Sequence, residues 1–150
     1  MIPASTPHLI LMADDDDDDR LLALDALKES KIDGQIKFVA NGEELLDYLC
    51  HRGEFAQGAG VPRPGLILLD LNMPRMDGRE ALREIKADPE LRRIPVVVLT
   101  TSNADTDIGA IYDLGANSFI SKPFQFDALM KVMKMLAQYW FQTVELPAVK

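Results

Sequence analysis

At 150 residues, with 47% apolar and 27% charged side chains, the chain is long enough for one globular domain with a core of its own. Acidic residues outnumber Lys plus Arg by 24 to 16, a net charge of −8, and no basic patch offers itself to nucleic acid or anionic lipid. A single cysteine excludes an internal disulfide, and no Cys or His pairs exist to hold zinc. Cys50 is expected to be a buried, inert thiol.

The first seven residues, Met1 to Pro7, are polar and Pro-containing, and are read as a flexible N-terminus. They lack the cationic and apolar segments of a signal peptide. No apolar run approaches the ~20 residues that span a bilayer, and a cytoplasmic protein is the expectation. His8 to Ala13 (HLILMA) is a short apolar run that stops at Asp14, where an unbroken acidic run to Asp19 begins. Arg20 to Ser30 follows with Leu21, Leu24 and Leu27 on one predicted helical face. Ile36, Phe38 and Val39 make a β-like segment that ends at Asn41-Gly42, and Glu43 to about His51 resumes a helical pattern with Leu45, Leu46 and Leu49.

A Gly/Pro/Ala-rich stretch, Arg52 to Gly65, leads into LILLD, Leu66 to Asp70. Pro74 and Asp77-Gly78 supply turn chemistry, and Arg79 to Ala87 is helical, with Ala81, Leu82 and Ile85 apolar. Ile94 to Thr101 (IPVVVLTT) is rich in β-branched residues and reads as a strand. Asp105 to Leu114 is helical, with Gly115 placed to end it in a left-handed conformation. Ser118 to Ser121 is a brief strand before Lys122-Pro123, and Gln125 to about Gln142 is the last helix.

Its expected core stripe is Phe126, Leu129, Met130, Met133, Ala137 and Trp140. Val132, Met135 and Tyr139 form a second stripe, and Phe141, Val144 and Leu146 follow; extra apolar area of this kind marks either an interface or a tail folded back on its own domain. His8 begins a strand and His51 ends a helix, with no partner that suggests catalysis or phosphorelay.

Strand and helix alternate five times, which implies βαβ units: an α/β fold with a doubly wound parallel sheet and helices on both faces. LILM, LILL and VVVL are continuously apolar, as strands buried on both faces must be. Ligands of such sheets sit at the carboxyl ends of the strands. Those ends carry Asp14 and Asp15, then Asp70, then Thr100, then Lys122. Three carboxylates brought together repel one another, and a divalent cation relieves that repulsion. Mg²⁺ suits such an oxygen-only site, being held by one or two carboxylates, waters and a phosphate oxygen. Lys122 and Thr100 are placed to bind the other oxygens of a phosphoryl group on Asp70.

The acidic pair after the first strand, LILLDLNMPRMDG around Asp70, VVLTTS, and GANSFISKPF resemble the receiver domains of bacterial two-component response regulators. The resemblance covers roughly Leu9 to Gln142. The insert HRGEFAQGAGVPRP and the tail YWFQTVELP look like the stand-alone, phytochrome-associated members. The resemblance implies the flavodoxin-like five-stranded order 2-1-3-4-5, a receiver domain over residues 8–142 and a C-terminal tail over 143–150. It also implies that Asp70 is the phosphoacceptor, with Asp14, Asp15 and the backbone carbonyl of Asn72 completing the Mg²⁺ site. Thr100 would be the switch hydroxyl, Phe119 the aromatic switch residue, and Lys122-Pro123 a cis peptide. Asp14 stands where Glu is frequent, and Phe119 lacks the hydroxyl of the commoner Tyr. Thr101 replaces a smaller residue and Ser102 offers no group to orient water, both of which imply slow autodephosphorylation.

The function so implied is a signalling switch. It accepts a phosphoryl group from a sensor histidine kinase, a bacteriophytochrome being one candidate, and changes its dimer or partner preference. It is not an enzyme acting on a diffusible substrate. The receiver is expected to account for nearly the whole chain, with no room for an output domain. A homodimer through the helix 4–strand 5–helix 5 face, with Ile108 and Tyr139 among its contacts, is expected. Two alternatives compete. A magnesium-dependent aspartyl phosphohydrolase would need an acid two residues past its nucleophile, where this chain has Asn72. A phosphorylation-independent adaptor would not need Asp14, Asp15, Asp70, Thr100 and Lys122 together.

Overall fold

The computed structural model describes residues 8–31, 34–56, 62–101 and 105–147, with side chains in the fourth helix from Ile108 onward. The expectations for Met1 to Pro7, for Ser102 and for the middle of the Gly/Pro/Ala-rich stretch lie outside the described residues, as do the last three residues of the tail.

Five strands form one sheet: β1 Leu9–Ala13, β2 Gln35–Val39, β3 Leu66–Leu69, β4 Val96–Thr100 and β5 Ser118–Ser121. Its order is β2-β1-β3-β4-β5, with every pairing parallel, as expected. The helices that return the chain are α1 Asp17–Glu29, α2 Gly42–Cys50, α3 Gly78–Ala87, α4 Asp105–Asp113 and α5 Phe126–Gln138.

The central strands are buried throughout because both of their faces are covered. Leu11, Ala13, Ile67, Leu69, Val96 and Val98 point to one side, against Leu45 and Leu49 of α2, Leu82 and Ile85 of α3, and Ile111 of α4. The alternate residues Ile10, Met12, Leu66, Leu68, Val97 and Leu99 point to the other, against Leu22 and Ala26 of α1 and Leu129, Met133 and Leu136 of α5. An apolar run with no polar alternation thus feeds two cores at once. Edge strand β5 is only partly covered.

The helix starts are set by side chains that take up otherwise unpaired backbone N–H groups. Asp16 accepts from Asp18 and Asp19, Asn41 from Glu44, and Asp77 from Arg79 and Glu80. The acidic run therefore supplies the first turn of α1, which starts at Asp17 rather than Arg20. Gly115 ends α4 at φ +108°, as its position predicts. Gly78 is required for a different reason: a Cβ there would lie 2.4 Å from the Asp70 carbonyl oxygen, so α3 could not start so close to β3 with any other residue.

Some helical faces differ from expectation. Leu21 is 60% exposed, and the buried face of α1 is Leu22, Ala23, Ala26 and Leu27, because two alanines carry the stripe that a leucine count overlooks. In α5, Leu136 joins Leu129, Met133 and Ala137 in the core, whereas Phe126, on the opening turn, is exposed. Met135 and Tyr139 are exposed as well, while Val132, Met130, Trp140 and Phe141 pack partly against the core. Tyr139–Thr143 forms a π-helical turn that continues α5 and brings Phe141 against the His8 ring, with centroids 4.9 Å apart. Cys50 is exposed, not buried: it is the last residue of α2, one past the Tyr48 and Leu49 that reach the core.

Candidate functional site

The parallel register carries the polar residues to one end of the sheet. Ala13 pairs with Leu69 and Leu69 with Val98, so Asp14 and Asp70 emerge side by side and Thr100 stands on the next strand. Backbone bonds hold them there, from Asp14 N–H to Val39 O at 3.0 Å and from Asp70 N–H to Ala13 O at 3.0 Å. The Lys122 N–H donates to Thr100 O at 2.7 Å, which continues the β4–β5 ladder one residue beyond the strand. The Lys122–Pro123 peptide is trans, contrary to expectation; the Lys122 side chain is aimed instead by the carboxylates it meets.

Asp70 lies at the centre. Its Oδ1 accepts from the Thr100 hydroxyl at 2.8 Å and from the Asn72 N–H at 3.2 Å, and its Oδ2 is 3.6 Å from Lys122 Nζ. Thr100 is fully buried and already turned toward Asp70. Its oxygen also accepts from the Asn72 side-chain amide at 3.3 Å. Phe119 is half-buried and packs against the α3–α4 side of the core, with its N–H donating to the Tyr112 hydroxyl at 3.1 Å.

Asp14 is 1% exposed. Its Oδ1 accepts from the Asp16 N–H and its Oδ2 from Lys122 Nζ at 3.1 Å. Burial nevertheless wins over these partners and pushes its carboxyl up from the usual 3.8 to about 6. Lys122 is affected the opposite way. Burial pulls it down, but the Asp19, Asp14 and Asp70 carboxylates outweigh that and hold its ammonium above the ordinary range.

One carboxylate oxygen from each of Asp14, Asp15 and Asp70 lies within 4.8 Å of the others. These hard oxygen donors fit Mg²⁺, and because burial raises the Asp14 carboxyl, a cation bound beside it would favour its ionised form. Asp15, exposed, completes the cluster from the rim. Asn72 and Thr101 are also exposed, and both line the cleft of about 470 Å³ that opens above Asp70 between Asp15, Asp19, Lys122 and Phe124.

Every site residue expected at the strand ends is thus brought together, with Phe119 one layer away. Ile108 is half-buried and Tyr139 exposed. Two contributors were not anticipated. Asp19 Oδ2 is the nearest carboxylate to Lys122, at 2.7 Å. Arg20 Nε donates to Asp14 O at 2.7 Å while its guanidinium lies over the Phe38 ring, 5.3 Å from the centroid, which ties α1 to the end of β1. Six consecutive acids offer no signal as to which of them turns inward.

The chain matches the model of the response regulator receiver domain over residues 10–134. It is 41% identical to the response regulator Rcp1 of Synechocystis over 145 residues, which cover 97% of either chain. The probable methanogenesis regulatory protein FilR2 of Methanothrix harundinacea is 36% identical over 140 residues, covering 93% of this chain and 88% of that one. Among solved structures, the Mn²⁺-bound form of Rcp1 superposes with a TM-score of 0.88 at 42% identity, covering 95% of this chain and all of that one. The phosphorylated cyanobacterial phytochrome response regulator RcpA has the same TM-score at 41% identity, covering 97% of this chain and all of that one.

Proposed function

The chain belongs to the response regulator receiver family and is a phosphorylation-dependent switch that works with a divalent metal, and on that premise we propose that Asp70 is its phosphoacceptor. The observation that carries this is the convergence on one buried carboxylate of a hydroxyl, an ammonium and two further carboxylates. In the transfer, an Asp70 oxygen attacks the donor phosphorus, the donor's bond to phosphorus breaks, and an acyl phosphate forms. Asp14, Asp15, Asp70 and the Asn72 carbonyl would hold Mg²⁺, which when bound neutralises phosphoryl oxygens. Lys122 balances a further oxygen through its charge, and the Thr100 hydroxyl turns from Asp70 Oδ1 to donate to the phosphoryl group.

The donor is a sensor histidine kinase, and the likeness to RcpA favours one of the phytochrome type. The receiver unit is read as residues 8–142 and the compartment as the cytoplasm; among the described residues no helix is long and apolar enough to cross a membrane. Turnover of the acyl phosphate is self-promoted and slow, because Thr101 stands at the cleft mouth. The signal leaves through the α4–β5–α5 face, where Tyr112, Met135 and Tyr139 expose apolar surface, as a homodimer with Ile108 and Tyr139 among its contacts.

Acetyl phosphate with Mg²⁺ should add one acid-labile group of about 80 Da, seen by intact mass. Undiminished labelling of Asp70→Asn would move the acceptor elsewhere. In analytical ultracentrifugation, phosphorylation should strengthen self-association and Tyr139→Asp should weaken it; an oligomeric state indifferent to both removes the dimer face.

A further inference from the structure

The geometry points to Asp19 as a positioning residue that parks the Lys122 ammonium away from Asp70 and competes for it with the phosphoryl group. This rests on the reading of Asp70 as acceptor and Lys122 as its cation.

Lys122 has three N–H donors and meets three carboxylates. The shortest contact is to Asp19 Oδ2 at 2.7 Å, the next to Asp14 Oδ2 at 3.1 Å, and Asp70 Oδ2 at 3.6 Å lies beyond hydrogen-bond range. The ammonium's side chain is 8% exposed, and that of Asp19 is 18% exposed, so solvent screens this pair little.

An ordinary role for an acid in the first turn of a helix is to face its unpaired N–H groups. Here Asp16 already performs it: its Oδ1 takes the N–H groups of both Asp18 and Asp19, and Asp17 and Asp18 add charge at the same helix end. The Asp19 carboxylate is therefore free to turn across the cleft to Lys122.

Two opposed effects follow from one pair. Asp19 adds a negative charge beside the carboxylate cluster, which favours a divalent cation. It also holds the one ammonium that a phosphoryl group on Asp70 needs, which disfavours the phosphorylated state. Without Asp19, Lys122 has only Asp14 and Asp70 to face and moves toward the acceptor.

The test is a pair of titrations on the full chain. One is Mg²⁺ alone, followed by calorimetry; the other is beryllium fluoride, a phosphoryl mimic that adds to a carboxylate, at saturating Mg²⁺. Asp19→Asn should bind Mg²⁺ about threefold more weakly and the mimic about fivefold more tightly, a split in sign that loss of packing does not produce. Asp19→Ser should repeat that split, and Asp19→Glu should restore both affinities to within about twofold. Asp17→Asn removes the same charge from the same turn without touching Lys122, and should stay within about twofold of wild type in both. Should Asp19→Asn and Asp17→Asn behave alike, or should Asp19→Asn weaken the mimic, Asp19 does not position Lys122. The underlying reading is tested separately by Asp70→Asn, which should not bind the mimic at all; binding there would unseat the acceptor and leave the Asp19 pair as structure only.

Discussion

Two regions of the same strands differ by a single residue step. Ala13 and Leu69 are fully buried apolar residues, and the very next positions, Asp14 and Asp70, are buried too, at 1% and 9% exposure. The strand bodies are stabilised by burial; the strand ends are desolvated in spite of it. In the bodies, removing water from a side chain contributes roughly 1.5–3 kcal/mol per large residue. At the ends it raises the cost of charge, which shows as the elevated Asp14 carboxyl and as a lysine surrounded by three acids. The fold holds its chemistry at a level where the ordinary reward of burial has changed sign, and an arriving cation or phosphoryl group relieves what the apolar core created.

The contrast breaks most visibly in the bodies. Leu69→Ala should lower stability by about 2–5 kcal/mol, since a fully buried side chain between β1, β4 and the α2–α3 layer leaves a cavity that the sheet cannot close. Urea denaturation measures it, and a loss below about 1 kcal/mol would mean that the layer repacks and the bodies are not rigid.

This division also explains what the sequence alone made legible. The continuous runs LILM, LILL and VVVL announced strands covered on both faces, and the residues that end those runs announced the site, since a charge directly after a buried run has nowhere else to go. What stayed hidden depended on rotation about helix axes. Leu21 and Leu22 are equivalent to any count of apolar residues, and only the earlier start of α1 and the small Ala23 and Ala26 decide between them. The same holds for Asp19 within its run, for Phe126 on the opening turn of α5, and for Cys50 at the end of α2. The trans bond at Pro123 was hidden because both isomers are accessible before proline.

A smaller effect, of opposite sign, sharpens the contrast at the strand ends. The folded Asp14 holds its proton up to about pH 6, against 3.8 ordinarily, so between those values the folded state binds more protons than the unfolded chain. Stability from this group therefore falls as pH rises through that window, and the cost is complete above it. Lys122, raised, contributes stability throughout this range and adds no slope to it. Asp14→Asn should accordingly stabilise the metal-free protein by about 1–2 kcal/mol at pH 8, and not at pH 4. The carboxamide oxygen can still accept from the Asp16 N–H, and Lys122 keeps Asp19 and Asp70. Thermal melts at the two pH values decide it: an Asn variant less stable than wild type at pH 8 would mean that the Lys122 pair outweighs the desolvation of Asp14.

The smallest expected change in the metal-free protein separates an acid that the fold desolvates from one that it leaves in water. Asp15 shares the cation cluster with Asp14 and Asp70 but is exposed, so its charge stays hydrated and little is lost on folding. Asp15→Ala should alter metal-free stability by no more than about 0.5 kcal/mol, the usual range for a surface substitution. Its effect should emerge only on adding Mg²⁺. For a site with a dissociation constant near 1 mM, a concentration of 10 mM stabilises the wild type by about 1.4 kcal/mol, or roughly 3–5 °C in a melt. Most of that shift should disappear in Asp15→Ala. The two measurements are independent, and together they place the residue: a variant that melts early without metal has lost structure, and one that keeps the full Mg²⁺ shift has lost no ligand. Only an unchanged metal-free melt with a missing Mg²⁺ shift fits a rim carboxylate that serves the ion and not the fold.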